Sequence, residues 1–430
     1  MKRSILAIAI PAIISNITVP MLGLVDTAIM GHVGTATFIG AIAVGATMFN
    51  MLYWLFAFLR MGTGGLTAQA YGARDMGASA TVLARSLLIA LVISLILIVL
   101  QAPLAEAILR FLDAGADVDL EARRYFDICI WGAPAALATY VMNGWFLGMQ
   151  DTRTPMWITI AVNIINICLS VTFVFGMGMR IEGVALGTVI AQWIGAVASI
   201  AVAFVRYHLP LASARALADL QALRRLFAIN AHIFLRTLCL VCVTVWFTRA
   251  GAAQGVITLS VNAIMMQMFM FFSYFSDGFA YAGEAIAGKV VGEGNFVGSL
   301  RHLERVLMRF GAVLAVAFAV AYGLGGHLIV GMLTDVAEVV DASAAYLPWA
   351  AAVPLCGIVA FIYDGIFIGI TRTLDMLISM LVAALAFFGL YFLIFPILGN
   401  HGLWLAFVTY LAVRGVILWL VFKRQVLTIH

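Results

Sequence analysis

The sequence has 430 residues, of which 64% are hydrophobic and only 10% charged, and its net charge is +4. A soluble domain keeps roughly a quarter of its residues charged because its surface faces water, so this composition excludes a soluble protein and predicts a lipid-facing surface. The positive charges fall in short loops rather than on one basic face, which excludes a nucleic-acid-binding protein.

Apolar runs long enough to cross a bilayer recur along the whole chain, since a membrane helix needs about 20 mostly apolar residues. The first six lie at about 5–30, 38–60, 82–101, 125–149, 157–178 and 183–205. Six more lie at about 226–248, 256–283, 306–332, 345–370, 376–398 and 401–422. We therefore predict an all-α integral membrane protein with about 12 transmembrane helices, divided into an N-lobe (1–205), a cytoplasmic linker (206–225) and a C-lobe (226–430).

The distribution of basic residues predicts the orientation of the chain, because lysine and arginine concentrate in cytoplasmic loops. Sixteen of the 24 lie at the termini, in alternate loops or at the span ends next to those loops, whereas five lie in the opposite loops. The opposite loops are acidic, with Asp113 and Asp117 in one and Asp335 and Glu338 in another. We predict a multi-pass protein of the inner (cytoplasmic) membrane with both termini in the cytoplasm.

The two halves of the chain resemble each other at an offset of about 220 residues. Pro134 aligns with Pro354 and, after one extra residue, Gly144 aligns with Gly365. Six spans in each half is an even number, so the halves enter the membrane in the same sense. We predict two pseudo-symmetric six-helix bundles arranged as parallel repeats, and alternating access between them.

Asp26 lies inside the first predicted span, where a charge costs at least about 2.5 kcal/mol. Burial favours the neutral form of a carboxylate, so Asp26 is a candidate to bind a proton or Na⁺. Pro11 and Pro20 precede it and leave backbone carbonyls unpaired, which predicts that this helix can bend. The alternative is that Asp26 lies near the outer end of the span and only caps or hydrogen-bonds a neighbouring helix.

The fifth predicted span carries Asn163, Asn166 and Ser170. The two asparagines lie one turn apart and share a face of the helix. We predict that the three side chains help Asp26 to bind the coupling ion. Hydrogen bonding between helices, which is common in membrane bundles, explains them equally well.

The second half carries several charged residues inside its spans, which we predict to form a charged network: Arg236, Asp277, Glu284, Asp364 and Arg414. Asp277 and Glu284 are seven residues apart and so lie on one face of the eighth span. Asp364 and Glu284 are candidates to attract cationic substrates. For Asp277 and Arg414, structural ion pairing is the favoured alternative.

The eighth span is also rich in methionine and aromatic residues, which adapt to ligands of varied shape. Met265, Met268, Phe272 and Tyr274 are therefore candidates to line a substrate cavity, and ordinary packing or lipid contact is the alternative for at least half of this set. The histidines lie mostly at predicted helix ends or in loops and form no ligand cluster, so we predict no metal site.

Six segments in order resemble the multidrug and toxic compound extrusion (MATE) family, and most closely its DNA-damage-inducible protein F branch. They are LGLVDTAIMGHVG (22–34), GLTAQAYGARD (65–75), GWFLGMQDTRTP (144–155), NIINICLS (163–170), IFLRTLCL (233–240) and FSDGFAYAGEAIAGKVVGEGN (275–295). The resemblance implies a cation-coupled exporter of amphipathic, often cationic compounds, with a V-shaped cavity between two six-helix lobes.

The same resemblance assigns individual residues. Asn166 matches an asparagine of the N-lobe cation site, whereas Ser170 stands where many members of the family carry an aspartate. Asp364 matches a C-lobe carboxylate, and Arg236 stands where another branch has a glutamate of its Na⁺ site. An arginine at this place repels a metal cation and can pair with Asp364, which favours proton coupling over Na⁺.

These observations predict an antiporter, driven by H⁺ or by Na⁺, that exports amphipathic compounds and works as a monomer in the lipid bilayer without a further cofactor. The alternative is a flippase for lipid-linked or amphiphilic lipid substrates. A membrane-embedded transferase needs clustered aspartates to hold Mg²⁺ and a pyrophosphate. Neither DxxxD nor DDxxD occurs in the predicted spans, so we expect no enzyme.

Overall fold

A computed structural model describes residues 1–33, 36–112, 115–210, 213–294 and 296–426. The described residues form α-helices joined by short turns, with no strand among them. The helices of the first half are α1 (Lys2–Val33), α2 (Ala36–Trp54), α3 (Phe58–Gly72), α4 (Met76–Val99), α5 (Gln101–Leu112), α6 (Ala116–Cys129), α7 (Ala133–Gly148), α8 (Arg153–Val171) and α9 (Ile181–Tyr207). Those that follow are α10 (Ala214–Leu217), α11 (Leu220–Ala252), α12 (Val256–Gly292), α13 (Phe296–Leu333), α14 (Ala337–Ser343), α15 (Leu347–Gly369), α16 (Thr373–Leu398) and α17 (Asn400–Val421).

Twelve segments of the described chain are long and apolar enough to cross a membrane, one for each predicted span. The prediction of an all-α membrane protein with about 12 transmembrane helices is confirmed. Of the loop residues used to predict orientation, Asp113 lies outside the described residues.

Two of the spans are interrupted, which the hydropathy pattern does not show. The second predicted span runs across a turn that separates α2 from α3. The fourth contains a 3₁₀ turn, Ile130–Gly132, between α6 and α7. Pro134 lies in the first turn of α7. Its ring clashes with the preceding turn and it has no N–H to donate, which favours a break in the α-helix just before it.

The described residues divide into two compact units, Ile14–Leu226 and Met1–Ile13 with Phe227–His430. We call them the first and the second unit. The start of α1 groups with the second unit because Ala9 and Ile13 pack closely against Gly278 of α12. The predicted lobe boundaries at 205 and 226 place all of α1 in the N-lobe, and they stay a prediction.

Each unit contains the same close helix crossing. A Cβ atom on Gly144 of α7 would collide with the backbone of Arg60, and one on Gly365 of α15 would collide with the backbone of Ala280. One turn later, Gly148 and Gly369 face the backbones of α3 and α12 in the same way. Small residues let the backbones of membrane helices approach each other closely. The sequence repeat therefore reflects a repeated packing motif, α3 with α7 and α12 with α15.

The turns after these crossings also match. Gln150 and Thr371 both adopt left-handed backbone conformations, with φ of 63° and 57°. Asp151 then accepts hydrogen bonds from the backbone N and the Oγ1 of Thr154, 3.1 and 2.6 Å long. Burial acts to raise the pKa of Asp151. The hydrogen bonds from Thr154, a further hydrogen bond from Tyr207 OH and the positive charge of Arg206 together outweigh this effect, so the pKa is lowered. The carboxylate thus fixes the start of α8 in its charged form.

Candidate functional site

Asp26 is a buried acid in the membrane-spanning part of α1, with 7% of its surface exposed. Among the described residues, its Oδ1 has no hydrogen-bond partner. The carboxyl group lies within electrostatic range of Tyr125 and Cys129 on α6. No lysine or arginine among the residues that the structure describes forms an ion pair with it. Asp26 is therefore a carboxyl group with a free oxygen and no fixed counter-charge.

A chain of hydrogen bonds joins α8 to α9 in the same unit. Ser170 Oγ donates to Asn166 Oδ1 (3.2 Å), and Asn166 Nδ2 donates to Thr188 Oγ1 (3.1 Å). Thr188 Oγ1 in turn donates to the carbonyl of Val184. Tyr125 interacts with Thr188 and lies within electrostatic range of Asp26, so it interacts with both the acid and this chain. The structure brings Asn166 and Ser170 into one network, as side chains that link helices.

Asn163 is not part of that chain. Its Nδ2 donates to the backbone carbonyl of Thr18 on α1, at 3.4 Å. The two asparagines share a face of α8, but one contacts α1 and the other α9. The π-helical segment Thr172–Gly176 begins just after this helix, two residues beyond Ser170. Such segments are frequent at functional sites.

Sequence reasoning missed Thr188 and Tyr125. Thr188 lies in a glycine- and alanine-rich apolar helix, and Tyr125 lies at the edge of the fourth span. No sequence pattern separates them from other threonines and tyrosines in the spans. Only the packing of α9 against both α6 and α8 gives them these partners.

The second unit contains a buried ion triad. Asp364 Oδ2 on α15 accepts from Arg236 NH2 on α11 and from Arg414 NH2 on α17. The side chains are 9%, 9% and 5% exposed for Asp364, Arg236 and Arg414. The guanidinium of Arg414 also lies 5.9 Å from the centre of the Phe361 ring. One carboxylate thus holds two guanidinium groups and ties three helices together.

The other two members of the predicted charged network lie on α12. Glu284 is buried, with 1% of its surface exposed, and Asp277 is half-buried. Asp277 lies within electrostatic range of Arg414. The attraction of cationic substrates by Glu284 and Asp364 stays a prediction.

Three of the four candidate cavity residues lie in the core. Met265, Met268 and Phe272 are 1%, 3% and 0% exposed, and Tyr274 is half-buried. Tyr322 OH donates to the backbone carbonyl of Met268, at 2.7 Å. The three buried side chains pack between α12 and the helices next to it. Their role in a substrate cavity stays a prediction.

Pro11 and Pro20 both lie inside α1, which is helical from Lys2 to Val33. Pro11 is buried and Pro20 is exposed. Bending of α1 at these residues stays a prediction. Within the described ranges, no group of three or more histidine, cysteine, aspartate or glutamate residues is arranged to hold a metal ion.

Comparison with known proteins gives matches along nearly the whole chain. The MatE family model matches residues 11–172 and 228–393. DNA damage-inducible protein F of Escherichia coli (strain K12) is 41% identical over 423 residues, which are 97% of this chain and 91% of that protein. The probable multidrug resistance protein NorM of Bradyrhizobium diazoefficiens is 26% identical over 434 residues, 94% of this chain and 89% of that protein.

A solved structure of similar fold is an outward-facing conformation of a multidrug resistance MATE family transporter of the MOP superfamily. It superposes with a TM-score of 0.90 at 19% identity and covers 100% of this chain and 97% of that one. At this identity the likeness concerns the fold.

Proposed function

This chain belongs to the MATE family of multidrug efflux transporters, and from that membership we propose that it is a proton-coupled antiporter of amphipathic, often cationic, organic compounds. It is a multi-pass membrane protein and its relatives are transporters, not enzymes. In this proposal it works as a monomer by alternating access, with both termini on the cytoplasmic side of the inner membrane.

The observation that carries the proton-coupling proposal is the state of Asp26. Burial without a counter-charge destabilises the ionised form of a carboxylate, and binding of a proton removes the charge. Na⁺ needs several oxygen ligands around it, whereas the groups within electrostatic range of Asp26 are a tyrosine, Tyr125, and a cysteine, Cys129. The amide and hydroxyl groups of Asn166 and Ser170 are engaged with each other and with Thr188.

In the proposed mechanism, a proton on Asp26 removes a buried charge from α1. Pro11 and Pro20 each remove one hydrogen bond from the backbone of that helix, so α1 can change its curvature at a lower cost than a regular helix. The charge state of Asp26 then selects between two shapes of α1, and these shapes bias the access of the substrate site to one side of the membrane. Release of the proton restores the first shape.

The alternative of a flippase requires cationic side chains that are free to hold a phosphate group. The buried guanidinium groups of Arg236 and Arg414 instead share one oxygen of Asp364. The triad supports a structural or specificity role more than phosphate binding, so the antiporter is preferred.

The proposal is tested by efflux of the cationic dye ethidium from proteoliposomes under an imposed proton or Na⁺ gradient. We expect a proton gradient to drive efflux by the wild-type protein and a Na⁺ gradient at constant pH to have no effect. Asp26→Asn keeps the size of the side chain, but its amide does not bind or release a proton near neutral pH. We therefore expect this variant to abolish proton-driven efflux.

Asp341→Asn is the matched control, because it makes the same chemical change at an exposed position. We expect it to transport like the wild type. Each variant must elute as a monodisperse protein before its rate is compared. Normal proton-driven efflux by Asp26→Asn would refute coupling at this residue, and efflux driven by Na⁺ alone would refute proton coupling.

A further inference from the structure

A cavity of about 220 Å³ lies in the second unit between the C-terminal part of α11 and the N-terminal part of α12. Thr244 and Phe247 of α11 line it together with Asn262, Met266, Gln267 and Met270 of α12. None of its lining residues is charged. Its walls therefore combine an aromatic ring, two thioethers and several uncharged hydrogen-bonding groups.

The polar side of the cavity is held rigidly. Asn262 and Asn400 exchange two hydrogen bonds of 2.8 and 2.9 Å between their amide groups, and Trp404 Nε1 donates to Asn262 Oδ1 at 2.9 Å. These contacts fix α12 against α17 beside the cavity. Gln267 is different, because its amide is exposed on the cavity wall and can both donate and accept.

The charged network predicted in the second unit begins about two helical turns from the cavity. Arg236 precedes Thr244 by eight residues on α11 and Asp277 follows Met270 by seven residues on α12, which corresponds to about 12 Å and about 10 Å along a helix. Since none of the lining residues is charged, a ligand in the cavity contacts no full charge of the protein. A cationic centre in this place would be desolvated without a partner, which is costly.

We infer that this cavity binds uncharged ring systems that carry a hydrogen-bonding group, with the ring between Phe247 and the methionines and the polar group on Gln267. This inference rests on the proposed export function and narrows its substrate class. Ligand pockets for whole drug-sized molecules span about 300–1,000 Å³. The smaller volume here suits one or two fused rings, either as a small substrate or as the uncharged end of a larger one.

The test is equilibrium binding of tritiated 2-naphthol to the full-length protein in lipid nanodiscs, with binding to protein-free nanodiscs subtracted. Ala263 lines the cavity and is exposed, so Ala263→Leu fills the space without disturbing the core. We expect it to weaken binding by at least roughly tenfold, the effect of a misfit of a few methylene groups in an apolar pocket. Ala317→Leu, an equal change at an exposed site of α13 outside the cavity, should bind like the wild type.

A second variant tests the polar contact. Unlabelled 2-naphthol should displace labelled 2-naphthol from the wild-type protein more effectively than naphthalene, which lacks the hydroxyl group. Gln267→Leu should abolish that preference, which a loss of stability alone would not do. Equal binding by wild type and Ala263→Leu, or an unchanged preference in Gln267→Leu, would overturn the inference.

The two proposals fail separately. Binding that depends on Ala263 and Gln267, without ethidium efflux under either gradient, would refute the antiporter and support the cavity. Proton-driven efflux with binding that is insensitive to both substitutions would support the antiporter and refute the cavity.

Discussion

Asp26 and Asp364 are the same residue type in opposite electrostatic surroundings. Both are buried in membrane-spanning helices. Asp26 has a carboxylate oxygen without a partner, whereas one oxygen of Asp364 is shared by two guanidinium groups. A carboxylate between two cations is stabilised in its charged form, and one without a cation is not. This difference supports a mobile proton on Asp26 and a permanent structural charge on Asp364.

Removal of the charge of Asp364 should destabilise the protein strongly. Asp364→Asn leaves Arg236 and Arg414 buried without their carboxylate, and breaking a buried ion pair in this way costs about 3–5 kcal/mol. We expect a lower thermal unfolding midpoint for the purified protein in detergent.

The control is Glu106→Gln, which removes the carboxylate of an exposed ion pair with Arg110, whose side chains are 58% and 78% exposed. Exposed pairs contribute about 0–1 kcal/mol, so the midpoint should change little. If both variants unfolded at the same temperature, the triad would not have the structural role assigned to it.

Glycine residues allow one pair of helices in each unit to approach each other closely. The crossing of α7 with α3 and that of α15 with α12 place a helix backbone where a Cβ atom would otherwise lie. Dispersion contacts between closely packed backbones are a main source of helix association in lipid, where the hydrophobic effect between helices is absent. The glycines at these crossings thus maintain the core of both repeats.

Addition of a methyl group at either crossing should force the helices apart. We expect Gly144→Ala and Gly365→Ala each to lower stability by about 1–3 kcal/mol, the usual cost of overpacking. Thermal unfolding in detergent measures the effect in both repeats.

Gly389→Ala on α16 provides the matched control, because nothing lies within 4 Å of its Cβ position. Alanine has a higher helix propensity than glycine, so this variant should be neutral or more stable by up to about 1 kcal/mol. Destabilisation of all three variants alike would show that space at the crossings is not the cause.

At the scale of the whole molecule, the described residues contain twelve segments long and apolar enough to span a membrane, and the basic loops between them predict the orientation. The termini and the loops on their side contain sixteen lysine and arginine residues, whereas the opposite loops contain five. Because positive loops are retained in the cytoplasm, we predict that both termini and the linker region lie inside the cell.

Labelling of single cysteines tests the orientation. In a variant whose five native cysteines are replaced by alanine, Asp335→Cys and Gln221→Cys introduce reporters at exposed positions on opposite predicted sides. An impermeant maleimide should label Asp335→Cys in intact cells, and Gln221→Cys only after permeabilisation. The cysteine-free variant controls for background, and the reverse pattern would invert the predicted topology.

The sequence by itself determined the class, the number of spans and the repeat. The bilayer sets the length of a span at about 20 apolar residues, and the cost of charge in hydrocarbon limits where polar residues fall, so both leave a direct trace in the sequence. The glycines of the repeat were also visible, because the same close crossing is built twice.

Only the tertiary structure decided which polar groups meet and where the cavity lies. Asn163 and Asn166 share a face, yet they bond to Thr18 and Thr188 on different helices. The partners of Asp364 come from helices that are distant along the chain, α11 and α17. On α12, apolar residues occupy every face, so periodicity could not distinguish the buried Met265 from Met266 on the cavity wall. These choices depend on how each helix is rotated against its neighbours, which packing decides and hydropathy does not record.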